Sequence, residues 1–319
     1  MVKIIYSRKY NIGFYGLERL HPFDSKKYGR AWRYLRAKLG RRLKQLAIKT
    51  DRSANLEELL FIHDFEYLKQ LRSSRYVAAA LELPPVAWLP GWVVDLHILR
   101  PMRWATRGTI VAAESALKCG LAINLSGGYH HAKPGNGEGF SIYADAAIAV
   151  QSLRKKALIE NDSRIVYVDT DAHQGNGFCH AFMHDRHAYV FDVFNSKIYP
   201  AMDIKARERI DCPVKINSST TDLEYLGAIE NLLPGFLNSV TRQPVGLAIY
   251  NAGTDVYAGD PVGCLNLSAA TILKRDLMVV SELRKRNIPT VMVLSGGYTR
   301  ESYQLVADSV LGLVEQHAA

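Results

Sequence analysis

The chain has 319 residues, 48% hydrophobic and 22% charged, with 40 Lys and Arg against 31 Asp and Glu for a formal net charge of +9. That is enough apolar material for a substantial core, and no run approaches the roughly eighteen uncharged apolar residues needed to span a bilayer. Met1-Val2-Lys3-Ile4-Ile5-Tyr6 lacks the longer apolar run and cleavage site of a secretory signal, so an intracellular location, cytoplasmic or nuclear, is expected.

The basic excess gathers between Lys26 and Arg52. Trp32, Leu35, Leu39, Leu43 and Leu46 recur there at spacings of three and four, which predicts one amphipathic helix with a solvated basic face. A basic stripe also fits a polyanionic partner such as chromatin, without establishing direct nucleic-acid binding. Beyond it, short apolar runs predict strands at Leu121–Leu125, Arg164–Val168, Ala188–Val193, Val245–Tyr250 and Thr290–Leu294. Between them, helices are expected at Ser141–Ala157, Thr221–Leu237 and Ser268–Arg286. Such alternation predicts an α/β fold, a mostly parallel sheet with helices on both faces. No repeat or linker divides the chain, so residues 1–319 are read as one domain. The four cysteines, Cys119, Cys179, Cys212 and Cys264, form no Cys-x-x-Cys pair and are expected to be reduced and mostly buried.

The polar punctuation after these strands carries the chemistry. Ser126-Gly127-Gly128-Tyr129, Asp169-Thr170-Asp171, Asn251-Ala252-Gly253-Thr254-Asp255 and Ser295-Gly296-Gly297-Tyr298 follow four of them. Open parallel sheets bind ligands beyond the carboxyl ends of their strands, so His, Asp, Asp and Tyr converge on one edge. In an extended Asp169-Thr170-Asp171-Ala172-His173, positions 169, 171 and 173 face the same side. Asp-x-His alone equally suits a helix cap beside a buried histidine. With Asp255 at another strand tip, Asp171 and His173 become three ligands with an open position, the pattern of a catalytic zinc. Two carboxylates weaken such an ion as a Lewis acid, and Tyr298 on its Gly-Gly turn is the evident second donor to a carbonyl. His130-His131 follows another Gly-Gly turn, and Asp169 and Asn176 are within reach as orienting acceptors.

With these pieces in order, the chain resembles the zinc-dependent histone deacetylases. The matching segments are His21-Pro22-Phe23-Asp24, Gly128-Tyr129-His130-His131, Asp169-Thr170-Asp171-Ala172-His173-Gln174-Gly175-Asn176-Gly177, Ile198-Tyr199-Pro200, Ala252-Gly253-Thr254-Asp255, Gly259-Asp260 and Ser295-Gly296-Gly297-Tyr298. Asp-Ala-His-Gln-Gly-Asn-Gly and Asn-Ala-Gly-Thr-Asp make it similar to class IV members. The resemblance implies an arginase/deacetylase-like fold with about eight strands, hydrolysis of acyl-lysine in proteins, histone tails included, and one zinc. It also leaves room for structural potassium ions near Asp169, Asp171 and His173. It implies Asp171, His173 and Asp255 as zinc ligands, His131 as general base and then acid, and His130 as its electrostatic partner. Asp169 then pairs with His130, Asn176 with His131, and Tyr298 polarises the carbonyl. Gly139, Phe140 and Tyr199 become walls of the tunnel for the lysine methylenes, with Tyr199 where many relatives carry Phe.

Three rivals compete with this expectation. A two-metal ureohydrolase of the same fold needs an Asp where this chain has Gly175. A deacetylase of small amines such as acetylpolyamines calls for an acidic rim, against the basic excess here. A non-catalytic acyl-lysine or chromatin-binding module would not need the full set of chemical residues.

Overall fold

The computed structural model describes residues 2–13, 24 and 26–317. His21, Pro22 and Phe23 of the first matching segment lie outside the described residues. Eight strands form one sheet: β1 Val2–Tyr6, β2 Ala47–Lys49, β3 Leu121–Asn124, β4 Arg164–Asp169, β5 Ala188–Asn195, β6 Cys212–Ile216, β7 Val245–Asn251 and β8 Thr290–Val293. Their order is β2-β1-β3-β8-β7-β4-β5-β6, and every pairing is parallel. The fold is thus the expected single-domain α/β architecture.

Strand side chains alternate between faces, and the apolar runs supply both faces at once. Ile4, Ile123, Val166, Val168, Phe191 and Val193 join a core beneath the helices Lys27–Leu39, Asp222–Val240, Ala269–Lys285 and Ser302–Gln316. Their neighbours Ile5, Ala122, Ile165, Tyr167, Val190 and Phe194 join a second core under Arg100–Cys119 and Asp145–Lys155. Fully burying each of the larger of these side chains is worth about 1.5–3 kcal/mol, which fixes the register, because a one-residue slip would exchange the faces.

The single basic helix expected between Lys26 and Arg52 is instead two. Lys27–Leu39 stops at Gly40, whose φ of 52° leaves the helical region, and Arg42–Leu46 runs straight into β2. The face assignment survives the break: Leu35, Leu43 and Leu46 are buried, while Arg33, Arg36, Lys38, Arg41 and Lys44 are exposed. The edge strand β6 carries Pro213, which has no N–H to donate and is tolerated there. Of the cysteines, which are all free, only Cys179 is buried and Cys264 is exposed, contrary to the expected mostly buried set. No helix among the described residues is long and apolar enough to cross a membrane.

Because the strands are all parallel, their carboxyl ends share one edge. Turns beyond β3, β4, β7 and β8 meet there. The helix expected from Ser141 begins only at Asp145, whose buried carboxylate accepts the N–H groups of Gly128 (3.0 Å) and Tyr129 (2.8 Å). That contact pins the turn that carries the tandem histidines.

Candidate metal centre and active site

Past β4 the chain is not extended as expected. It bends through two local hydrogen bonds, Asp171 N–H to Asp169 Oδ1 (3.0 Å) and His173 N–H to Asp171 Oδ1 (3.0 Å). The bend separates the aspartates: Asp169 turns toward His130, whereas Asp171 and His173 meet Asp255 from beyond β7. One ligand atom from each of Asp171, His173 and Asp255 lies within 4.8 Å of the others, and all three residues are buried. His173 Nδ1 is 3.1 Å from Asp171 Oδ1 and 2.9 Å from Asp255 Oδ2.

Backbone donors hold the outer oxygens. Gly296 N–H donates to Asp171 Oδ2 (2.8 Å) and Ala172 N–H to Asp255 Oδ1 (2.9 Å). A Cβ at Gly296 would sit 2.5 Å from Asp255 Oδ2, and one at Gly253 would collide with the Asp171 carboxylate, so both glycines are required for the close approach. Burial and the Asp171 charge push Asp255 up to about 7. Burial opposes charge on His173, but hydrogen bonds to Asp171 and Asp255 outweigh it and raise its pKa well above the ordinary imidazole range. The pocket field therefore favours a cation among these donors, and two carboxylates with an imidazole suit a divalent metal ion.

The tandem histidines stand beside this group. His130 Nδ1 lies 2.9 Å from Asp169 Oδ2, and Asn251 Nδ2 donates to Asp169 Oδ1 (2.9 Å). Burial alone would depress His130, but Asp171 and Asp169 outweigh it and raise its pKa to about 9. His131 Nδ1 is 2.8 Å from Asn176 Oδ1. Burial, with His130 and His173 nearby, holds His131 well below the ordinary value. Gly177 N–H donates to His130 O (2.8 Å), and a Cβ at Gly177 would collide with backbone carbonyls of the histidine turn.

Tyr298 faces the same cavity from the β8 side, and that cavity is also lined by His130, His131, Gly139 and Phe140. Its N–H donates to Asp260 Oδ2 (2.8 Å), and its ring meets Phe140 edge-on at 5.7 Å. Burial and then Asp255 and Asp171 push the phenol pKa well up, so the hydroxyl keeps its proton as a donor. Gly139, at φ 52°, packs so tightly that a Cβ would come to 2.6 Å from the His131 ring. Tyr199 stands against that ring at 4.9 Å, and its hydroxyl donates to Glu138 Oε1 (2.8 Å). The structure thus brings together every site residue expected from the sequence.

The turn before Tyr298 gives a first prediction. Gly297 has φ 126°, and a Cβ there would collide with Thr254 Oγ1 and lie 2.4 Å or less from hydroxyl oxygens that also bond each other. Gly297→Ala is expected to cost about 1–3 kcal/mol in a denaturant melt, the usual price of enforced backbone strain. An unchanged midpoint would show that the turn tolerates a side chain.

Several participants were invisible in the sequence. Lys27, read as part of a solvated stripe, is fully buried and donates to the carbonyls of Ser295 (2.8 Å) and Gly296 (3.0 Å). Burial lowers its pKa to about 8 against the pull of Asp255 and Asp171. Arg275, in the middle of Ala269–Lys285, donates to Thr170 O (3.0 Å) and Gly253 O (2.7 Å), tying the two ligand-bearing turns together. Glu138 and Asp203 accept from Asn176, and Lys133 and His180 in turn contact Asp203. Helical spacing could have hinted at burial, since Lys27 shares a face with Ala31 and Leu35 and Arg275 one with Ile272, Val279 and Leu283; nothing local marks Asp203.

A family model described as Histone deacetylase domain matches residues 21–314. A protein of Arabidopsis thaliana named Histone deacetylase 2 is 41% identical over 315 residues, covering 99% of this chain and 79% of that one. Histone deacetylase 8 of Xenopus tropicalis is 25% identical over 268 residues, covering 80% of this chain and 69% of that one. Among solved structures, the crystal structure of the HDA15 HD domain aligns with a TM-score of 0.74 at 17% identity, over 99% of this chain and 88% of that one. At that identity the likeness is one of fold.

Proposed function

The chain belongs to the histone deacetylase domain family, and on that footing we propose that it is a class IV-like, zinc-dependent hydrolase of N-ε-acyl-lysine in proteins, histone tails included. Residues 1–319 then act as one catalytic domain. The observation that carries this is the three-donor cluster with an oriented imidazole on one side and a protonated phenol on the other. Asp171, His173 and Asp255 would hold the zinc. When bound, that ion supplies Lewis acidity toward a carbonyl oxygen and toward water. Asp192, buried with one carboxylate oxygen lacking a hydrogen bond, supports a structural potassium ion beside Asp169.

The chain's own residues do the remaining work. Gly139, Phe140 and Tyr199 wall the lysine methylenes, and Tyr298 donates its hydroxyl to the acyl oxygen. His131 Nε2 takes a proton from the attacking water, while Tyr298 stabilises the oxyanion as it forms. The C–N bond breaks as His131 returns that proton to the leaving amine, giving a carboxylate and free lysine. His130, paired with Asp169, places positive charge beside the reacting centre.

Beyond the catalytic groups the cavity is walled by Tyr10, Ile12, Leu81, Ile98 and Met102. That apolar lining supports acyl groups longer than acetyl. Each buried methylene contributes about 0.8 kcal/mol, so two added carbons are expected to raise kcat/KM by about tenfold or slightly more. A panel of lysine peptides from acetyl to myristoyl, with acetylspermidine alongside, tests this on zinc-loaded protein. Cleavage of acetylspermidine but no peptide would make the chain a small-amine deacetylase. No turnover at all would leave a binding module.

A further inference from the structure

We propose that Glu138 and Asp203 are positioning residues for His131: a pair of carboxylates that fix the Asn176 amide so that only its oxygen faces the imidazole. The inference rests on His131 as the base and deepens that reading. Asn176 is fully buried at the start of the helix Asn176–Ala181. Its Oδ1 takes the His131 Nδ1 contact at 2.8 Å, and its Nδ2 donates to Glu138 Oε1 (2.8 Å) and to Asp203 Oδ2 (3.0 Å). Ionised carboxylates accept and never donate, and an amide nitrogen donates only. Rotating the amide by half a turn would set its oxygen against two anions, so one orientation is enforced. With an oxygen opposite it, His131 Nδ1 must carry the proton, and Nε2 is left with the free lone pair a base requires.

The two carboxylates are themselves built in. Lys133 Nζ bridges them at 3.0 Å each, Tyr199 donates to Glu138, and Asn136 Nδ2 donates to Glu138 Oε2 (2.9 Å). His180 Nε2 lies 2.9 Å from Asp203 Oδ2, and Ala206 N–H donates to Asp203 Oδ1 (3.2 Å). Burial works against both charges, but these hydrogen bonds outweigh it and keep both groups below the usual carboxylate range. The pair comes from the glycine-rich run before Phe140 and from the cap of the helix Ile204–Glu208, far apart in the chain. Tyr199, unusual as a tunnel wall, has a reason here: its hydroxyl completes the shell of Glu138.

An aspartate at position 176 would put a third carboxylate against Glu138 and Asp203 with no proton between them. The network and the amide belong together, whereas Asp at this position needs a neutral neighbour.

The test uses the zinc-loaded 319-residue chain with 15N-labelled histidine, so that the His131 tautomer is read directly and without substrate. The unsubstituted chain is expected to show the Nδ1–H form. In Glu138→Gln/Asp203→Asn the amide is free to turn, so Nε2–H signal is expected, with kcat down about tenfold, KM within about twofold and zinc content unchanged. That loss is part of the roughly hundredfold or more that a general base supplies. Asn176→Asp alone should lose at least as much, and adding Glu138→Gln, whose amide can donate to the new carboxylate, should recover most of it. A double variant that keeps both the Nδ1–H form and kcat, or an Asn176→Asp chain as active as its parent, overturns the proposal. If the double variant does not fold, the Asn176→Asp pair of measurements decides alone. If the parent cleaves no acyl-lysine, the function falls, while the tautomer still judges the positioning.

Discussion

Asp255→Asn is expected to give a folded, metal-free and inactive protein. The amide keeps the size of the carboxylate and still accepts from Ala172 N–H, which now reaches Asp255 Oδ1 at 2.9 Å. What disappears is one of the two anionic ligands in a three-donor site. Zinc bound by elemental analysis should fall from about one equivalent to near none, and turnover by about a thousandfold or more, on the order of 4 kcal/mol of barrier. The fold should not suffer. Burial, and then the neighbouring Asp171 charge, push the Asp255 pKa to about 7, so a neutral group relieves a penalty that a bound cation otherwise balances. Circular dichroism melts should therefore place the variant at or above the chelated parent. The zinc-loaded parent should melt above both, by about 2.7 kcal/mol of added stability when free metal is a hundredfold over its Kd. Asp171→Asn and His173→Ala should lose metal in the same way. A stoichiometrically loaded Asp255→Asn variant would remove Asp255 from the site.

Much of this site was legible because a parallel sheet turns sequence order into spatial convergence. Once β3, β4, β7 and β8 are recognised by their apolar runs, the polar residues just after each must meet at one edge. Three strands escaped notice: β1 is an apolar run weighed only against a secretory signal, β2 spans three residues inside a stretch with helical spacing, and β6 alternates exposed and buried residues around a proline. Asp169-Thr170-Asp171-Ala172-His173 was assigned to one site by strand alternation, yet the members meet through Asx-type bends. Side-chain oxygens capture the backbone N–H groups two residues on, a local competition that periodicity does not register. Lys27 and Arg275 escaped for a different reason. A charged residue in a helical pattern is normally solvated, and only tertiary packing shows that both instead donate to carbonyls of the catalytic turns. Glu138 and Asp203 belong to the same class, since their common partner lies between two distant loops.

Tyr298→Phe is expected to separate catalysis from binding more sharply than any other substitution. The change removes one oxygen and leaves the ring against Phe140, and the backbone N–H of residue 298 keeps its bond to Asp260. The turn is held from below by Lys27 on the carbonyls of Ser295 and Gly296, so the ring has no reason to move. Zinc content and melting temperature should match the parent. The hydroxyl is a buried donor, kept protonated first by burial and then by Asp255 and Asp171. Its hydrogen bond strengthens as the acyl oxygen takes on charge, because the donor is already in place and needs no reorganisation. Stabilisation confined to the transition state appears in kcat and leaves KM nearly alone. A loss of about a hundredfold in kcat, close to 2.7 kcal/mol, is therefore expected with KM within about threefold. Were kcat to stay within twofold of the parent, the oxyanion would need another donor. A large rise in KM at constant kcat would instead make Tyr298 a wall of the substrate tunnel.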